Sequence, residues 1–179
     1  MWDFLPLKIA RGASNFTAFP HLDMGLWDTH ALASITVPHG IRGGFKTKLK
    51  EVGEEGFLEL LGQVEKRTRP ILRKSRGSKA MVYATQRHYR SQRSEAEVDA
   101  RLDADLRTVV SGTRSAVKYQ PEWAYAIYDV ITQKRSNIQF GLEVQFSYDC
   151  SVVRSAVAAD LFAEAWVALS PVLPFVLGE

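Results

Sequence analysis

Apolar and polar residues alternate most regularly between residues 138 and 148, where every second side chain is large and apolar or aromatic. A period of two is typical of a strand with one buried face. The β-branched stretch 31–38, which ends at Pro38, and the Val- and Tyr-containing stretch 79–90 are also predicted to be strands. Residues 123–133 share this aromatic and β-branched composition, and we predict a strand there as well.

Two segments in the middle of the chain have the spacing of amphipathic helices. In residues 46–69 apolar side chains recur at helical intervals, and Pro70 is expected to end the helix. In residues 95–110 an apolar stripe follows a capping box formed by Ser94 and Glu97. Both segments are predicted to be helices inserted into a sheet.

The last predicted helix, residues 149–170, has apolar side chains on nearly every side. Such a helix must be covered on more than one face. The sheet can cover one face, and we expect a second copy of the chain to cover the other. The interface residues predicted in this way are Val152, Val153, Val157, Leu161, Phe162 and Trp166.

Length and composition indicate a single domain, because 179 residues of which 46% are hydrophobic can fill one core. Residues 1–32 are predicted to form an extended N-terminal arm or hairpin, residues 33–148 mainly a sheet with helical insertions, and residues 149–170 the C-terminal helix. The expected fold class is therefore α+β. It comprises an antiparallel β-sheet with C-terminal helices packed across a dimer partner, plus the inserted helical segments.

Composition also argues against several classes of protein. The single cysteine, Cys150, excludes an intramolecular disulfide and a cysteine-rich metal site. The N-terminal residues lack the apolar run of a signal peptide. The longest uncharged run near the end, Ala165 to Gly178, is 14 residues, fewer than the roughly 20 that a membrane span needs. We therefore expect a cytoplasmic protein with no membrane partner.

Arrangements that could support catalysis or metal binding are incomplete. His21 and Asp23 could supply two metal ligands, but no third ligand follows at a recognisable spacing. Asp99 and Asp103 would share one face of the predicted helix and could bind Mg²⁺. The interspersed arginines are more typical of a solvated face. We therefore expect no enzyme activity, no metal and no cofactor.

Positive charge is concentrated between residues 66 and 94, which contain ten Lys and Arg and no Asp or Glu. One face of the predicted strand in this segment interleaves cations, hydroxyls and aromatic rings. Cations neutralise phosphates, and rings stack on unpaired bases, so the pattern favours RNA binding over a merely solvated edge. The predicted RNA-binding residues are Arg73, Lys74, Arg76, Lys79, Tyr83, Thr85, Arg87, Tyr89, Arg90 and Arg93.

Three stretches of the chain resemble the coat proteins of single-stranded RNA bacteriophages. They are ASNFTAF (13–19), the basic stretch 75–93, and residues 138–166, which resemble the last long strand, polar turn and C-terminal helices of that family. The resemblance implies a homodimer whose sheets join edge to edge, assembled into an icosahedral capsid in the virion. It also implies that the inner face of the sheet binds genomic RNA and an operator hairpin.

Two other functions stay open at this point. One is an RNA-processing nuclease or maturation factor that uses His88, Asp99 and Asp103 beside the basic strand. The other is a stable subunit of a large ribonucleoprotein, which would use the same basic segment without forming a shell.

Overall fold

Six antiparallel strands form one sheet in the computed structural model, which describes residues 2–7, 19–38, 44–89, 97–110, 118–134 and 137–177. The strand order is β1-β2-β3-β6-β4-β5. The elements are β1 (Trp2–Pro6), β2 (His21–Leu26), β3 (His30–Val37), α1 (Gly44–Lys74), β4 (Lys79–Arg87), β5 (Val98–Asp105), α2 (Leu106–Val110), α3 (Glu122–Gln133), β6 (Ile138–Ser147), α4 (Ala158–Leu169) and α5 (Leu173–Leu177). An α+β fold built on an antiparallel sheet was predicted, and this part of the prediction is confirmed.

Two connections between strands contain helices, and each of them joins two strands that are separated by one other strand in the sheet. Helix α1 connects β3 to β4, which lie on either side of β6. Helices α2 and α3 connect β5 to β6, which lie on either side of β4. Strand β6 is therefore hydrogen-bonded on both edges and lies in the interior of the sheet.

The helices cover one face of the sheet, which we call the inner face. The rings of Phe45 and Phe57 in α1 lie 5.0 and 6.1 Å from that of Phe140 in β6. The ring of Phe162 in α4 lies 5.3 Å from that of Phe146, also in β6. These aromatic contacts join both helices to the alternating apolar residues of β6, and the side chains concerned are buried.

The helix predicted over residues 95–110 is wrong for most of its length. Residues Val98–Asp105 form strand β5, paired with β4, and only Leu106–Val110 are helical. The apolar stripe of Val98, Leu102 and Leu106 has a spacing of four residues, which places side chains on one face in a strand as well as in a helix. Pairing with β4 decided between the two. The predicted capping residue Ser94 lies outside the described residues.

The strand predicted over residues 123–133 is also wrong, because Glu122–Gln133 form helix α3. Its buried residues Ala124, Ile127 and Ile131 recur at helical spacing and pack into the core beside α1. Aromatic and β-branched composition suggested a strand, but the burial pattern belongs to a helix.

The long helix predicted over residues 46–69 is confirmed, with two differences. It continues through Pro70 to Lys74, because Pro70 lies on the exposed side and its missing N–H removes one backbone bond there. It also contains a break at Gly53, whose φ of 70° and ψ of −174° are not helical.

The predicted C-terminal helix is divided into several pieces. A 3₁₀ turn spans Ser151–Arg154, α4 spans Ala158–Leu169, and a second 3₁₀ turn, Ser170–Val172, carries the chain past Pro171 into α5. The stretch Ala158–Leu177 meets the length and apolar composition of a membrane span. In the structure this stretch packs against α1 and β3 and contributes Leu161 and Leu169 to the core.

Candidate nucleic-acid interface

The face of β4 that points away from the helices, which we call the outer face, carries four of the residues predicted to bind RNA: Lys79, Tyr83, Thr85 and Arg87. Ala80, Val82 and Ala84 lie on the inner face and are buried in the core, as their small apolar side chains suggest. Alternation therefore places Tyr83 and Thr85 on the outer face. The structure shows, however, that both side chains are buried there.

Tyr83 is held flat against the sheet by its neighbours. Its ring crosses the backbone of Gly141 on β6, where an added Cβ would lie 2.3 Å from the ring carbon Cζ. The guanidinium carbon of Arg101 lies 4.4 Å from the other side of the ring, measured to its centroid. The Tyr83 hydroxyl lies 3.1 Å from Thr36 Oγ1, and burial, followed by the charge of Glu143, raises its pKa. The expectation that Tyr83 stacks on an RNA base is corrected, because both ring faces are occupied.

Acidic residues from neighbouring strands lie beside the basic strand. The Arg101 Nη2 atom of β5 lies 3.3 Å from Glu143 Oε1 of β6, which also accepts a hydrogen bond from Gln145 at 2.6 Å. Glu143 is buried, and burial raises its pKa although Arg101 acts in the opposite direction. Asp103 and Asp105 add two further carboxylates on the same face of β5. The middle of the outer face is therefore a mixed-charge surface and not a basic one.

His21 and Asp23 form a second buried polar group, on β2. The His21 Nδ1 atom lies 2.6 Å from the carbonyl oxygen of Phe19, and Nε2 lies 3.1 Å from Asp23 Oδ1. Ser34 on β3 donates a hydrogen bond of 3.1 Å to the other Asp23 oxygen. Burial lowers the pKa of His21, but the hydrogen bonds and the charge of Asp23 outweigh it, so the net shift is upward. Among the described residues no cluster of three metal-ligating side chains occurs, there or elsewhere.

Some cations of the basic segment are neutralised by acids that are close in space. The Arg69 Nε atom donates to both carboxylate oxygens of Glu65, at 2.7 and 2.8 Å. Lys74 lies 2.9 Å from Glu164 of α4. The absence of acids from residues 66–94 therefore does not leave ten uncompensated charges.

Three cations where α1 ends and β4 begins remain exposed: Arg73, Arg76 and Lys79. Within the part of the chain that the structure describes, no carboxylate lies within ion-pair distance of them. We call these three residues the basic junction. All three belong to the predicted RNA-binding set.

The other end of β4 carries the remaining predicted residues. Arg87 is half-buried and donates a weak hydrogen bond of 3.4 Å to Gln139. Tyr89 is exposed, and its ring meets the His88 ring edge-on at 4.5 Å. His88 Nδ1 lies 2.8 Å from Asp99 Oδ1, and this hydrogen bond, with the charge of Asp99, raises the pKa of His88. Arg90 and Arg93 lie outside the described residues.

The predicted dimer-interface residues divide into two groups. Val153, Leu161 and Phe162 are buried within the subunit, whereas Val157 is 50% exposed and Val152 is half-buried. Trp166 is also half-buried, and its Nε1 donates a hydrogen bond of 3.1 Å to the backbone carbonyl of Asp23.

Helix α4 packs against α1 as well as the sheet. A helix of the same subunit therefore covers part of the surface that we expected a second copy to cover, and the dimer stays a prediction.

Sequence reasoning missed several polar residues of the outer face, among them Arg101, Gln139 and Glu143. Gln139 and Glu143 occupy the polar positions of the alternating strand β6, which is the only signal for them in the sequence. Arg101 was assigned to a helix, so its position beside Tyr83 was not foreseen.

No known family model matches this chain, and no curated protein sequence is similar to it.

Proposed function

We propose that the protein is a non-enzymatic, RNA-binding structural subunit that assembles with copies of itself, as a phage coat protein does. The observation that carries the proposal is the basic junction, Arg73, Arg76 and Lys79, which is exposed and uncompensated by described acids. Exposed cations of this kind neutralise phosphates and release counterions. As a coat subunit the protein would package genomic RNA in the virion.

The alternative explanation of these cations is the helix dipole, since cations are favourable at the C-terminal end of a helix. Among the three residues of the basic junction, that explanation applies to Arg73, which lies in the last turn of α1. It does not apply to Arg76 and Lys79, which lie beyond the helix. RNA binding accounts for all of them.

Replacing the three residues of the basic junction by alanine tests RNA binding directly. If each contacts a phosphate, the slope of log affinity against log salt concentration for single-stranded RNA should decrease by about 2 units. Filter binding over a salt series measures this slope. Lys50→Ala combined with Lys118→Ala removes two exposed cations elsewhere and should leave the slope unchanged. Equal slopes for wild type and the triple variant would refute RNA binding at the basic junction.

Self-assembly is supported by large apolar side chains that remain exposed in the subunit. Examples are Leu5 at 63% exposed, Trp27 at 55% and Val167 at 69%. Negative-stain electron microscopy of the chain expressed alone tests whether they lead to a shell. Uniform closed particles would support the coat function. A small species that binds RNA would instead indicate a subunit of a ribonucleoprotein.

The contact between His88 and Asp99 favours a second candidate, an RNA-processing nuclease. Asp99 orients an exposed imidazole and raises its pKa, as in a general base. Asp103, expected to act with them, instead lies beside Arg101 at 3.6 Å. Incubation with end-labelled RNA distinguishes the nuclease from the structural subunit. Cleavage of the RNA by wild type, abolished by His88→Gln, would favour the nuclease.

A further inference from the structure

One corner of the outer face brings together polar groups from three strands. Thr85 on β4 lies directly opposite Gln139 on β6 and Arg101 on β5. Arg87 follows two residues along β4, after a register shift between Gln86 and Arg87. Alternation places all four of these side chains, those of residues 85, 87, 101 and 139, on the outer face.

The buried hydroxyl group of Thr85 makes no hydrogen bond that would stabilise the fold. The residue is 6% exposed, and its Oγ1 atom has no hydrogen-bond partner. A buried polar atom without a partner destabilises the folded state, and valine would fill the same space without that loss. A hydroxyl at this position therefore points to a ligand that binds it.

Arg87 is a cation without a nearby compensating acid among the described residues. The residue is half-buried, and its guanidinium donates a 3.4 Å hydrogen bond to Gln139 Oε1. The Gln139 Nε2 group donates in turn to the Tyr83 hydroxyl at 3.5 Å. Both bonds are at the upper limit of length, so the guanidinium and the amide can exchange them for a better acceptor. Burial lowers the pKa of Arg87, as expected for a cation deprived of water without an anion in exchange.

Arg101 completes the corner but is already engaged. Its guanidinium pairs with Glu143 and Asp103 and covers the Tyr83 ring. Its charge is therefore largely balanced, and Arg87 supplies the net positive charge of the corner.

We propose that Thr85, Arg87 and Gln139 form a subsite for one phosphate group. The phosphate would accept hydrogen bonds from the Thr85 hydroxyl, the Arg87 guanidinium and the Gln139 amide, and Arg101 would form the adjoining wall. The chemistry suits a phosphodiester of RNA or free inorganic phosphate. Only the first source depends on the proposed RNA-binding function.

The test uses the full-length chain and two ligands, inorganic phosphate and a short unstructured RNA. Phosphate binding is followed by NMR of the Arg87 side chain and the β4 amides, with urea unfolding of each variant in parallel. Thr85→Val should weaken phosphate binding about tenfold, the loss of one charge-assisted hydrogen bond, while leaving stability equal or higher. Arg87→Gln should weaken binding by at least as much. Thr85→Ser keeps the hydroxyl and should bind phosphate as wild type does.

The outcomes separate this subsite from the RNA-binding function. Phosphate binding that Thr85→Val and Arg87→Gln weaken supports the subsite, even if RNA does not bind. RNA binding that depends on the basic junction but not on Thr85 or Arg87 leaves the RNA function intact and overturns RNA as the source of the phosphate in the subsite. The subsite is overturned if wild-type protein shows no phosphate-dependent shifts in β4. Equal phosphate affinity for Thr85→Val and Thr85→Ser would have the same meaning.

Discussion

At the scale of single residues, the outer face is determined by contacts between strands far apart in sequence. Gly141 has no side chain, which allows the Tyr83 ring to lie across the backbone of β6. The ring is then fixed by Thr36 at its hydroxyl and by Arg101 on its outer side. One glycine therefore decides that the tyrosine is structural and not available for stacking on a base.

Gly141→Ala should destabilise the protein by about 1–3 kcal/mol, because the new methyl group would overlap the Tyr83 ring and displace it. Urea unfolding measures the change. In a Tyr83→Ala background the same substitution should cost much less, since the clash is absent. Equal costs in both backgrounds would contradict the described contact.

The upward pKa shift of His21 predicts a dependence of stability on pH. Burial opposes the charged imidazole, but Asp23 and the Phe19 carbonyl favour it more, so the folded state binds the proton more tightly than the unfolded state does. The resulting stabilisation is complete below the unfolded pKa of about 6.5 and is lost as pH rises through the folded value.

The free energy of unfolding of the wild type, measured with urea, should therefore decrease as pH rises through this range. The substitution His21→Gln should largely remove this decrease. His30→Gln is the control, because burial lowers the pKa of His30 and its effect has the opposite sign. A decrease that persists unchanged in His21→Gln would show that another group is responsible.

At the scale of elements, helix α1 determines how the basic segment is presented. It packs against α2, α3, α4 and α5 and ends where the basic junction begins. Its break at Gly53 divides it into two helical pieces, and the backbone there adopts a conformation that is essentially restricted to glycine. The direction of α1, and hence the position of its C-terminal cations, depends on this residue.

Gly53→Ala should destabilise the protein by about 1–3 kcal/mol, although no atom would obstruct the added Cβ. The loss would come from the backbone conformation alone. Gly62→Ala is a matched control in the helical part of α1, also with open space, and should be stabilising by about 0.5–1 kcal/mol. Thermal or urea unfolding measures the change in stability for both variants. Equal changes for Gly53→Ala and Gly62→Ala would contradict the helix break at Gly53.

At the scale of the whole molecule, charge and exposed apolar surface are unevenly distributed. The basic junction lies at the start of β4, whereas the carboxylates of Glu143 on β6 and of Asp103 and Asp105 on β5 line the outer face on either side of that strand. Helix α4 presents Val167 to solvent beside the half-buried Trp166. We expect RNA to bind at the basic junction and a second copy of the chain to bind at the apolar surface of α4.

Val167→Asp should reduce self-association without unfolding the subunit, because the side chain is 69% exposed. It is a better test than Trp166→Asp, which would also break the hydrogen bond to the Asp23 carbonyl. Sedimentation velocity over a range of concentrations measures association. Val52→Asp, at a residue 40% exposed on α1, should have no effect. A wild-type protein that remains monomeric would refute the predicted dimer.

The sequence by itself determined the features that depend on neighbours along the chain. The period of two in residues 138–148 identified β6, and helical spacing identified most of α1. The same alternation assigned Ala80, Val82 and Ala84 to the inner face of β4. Each of these features arises because one helix or strand buries one of its faces against the core. The spacing of apolar residues along the chain is enough to specify that face.

Only the tertiary structure decided which groups compensate one another. The four-residue spacing of Val98, Leu102 and Leu106 fits a strand and a helix equally well. Pairing with β4 made Val98 and Leu102 part of a strand, and Leu106 begins helix α2. Glu164 reaches Lys74 across 90 residues of sequence, so a segment that contains no acids is partly neutralised. Glu143 pairs in the same way with Arg101, which lies 42 residues away on β5. Charge compensation and burial depend on distance in space, and the sequence does not specify that distance until the strands have paired.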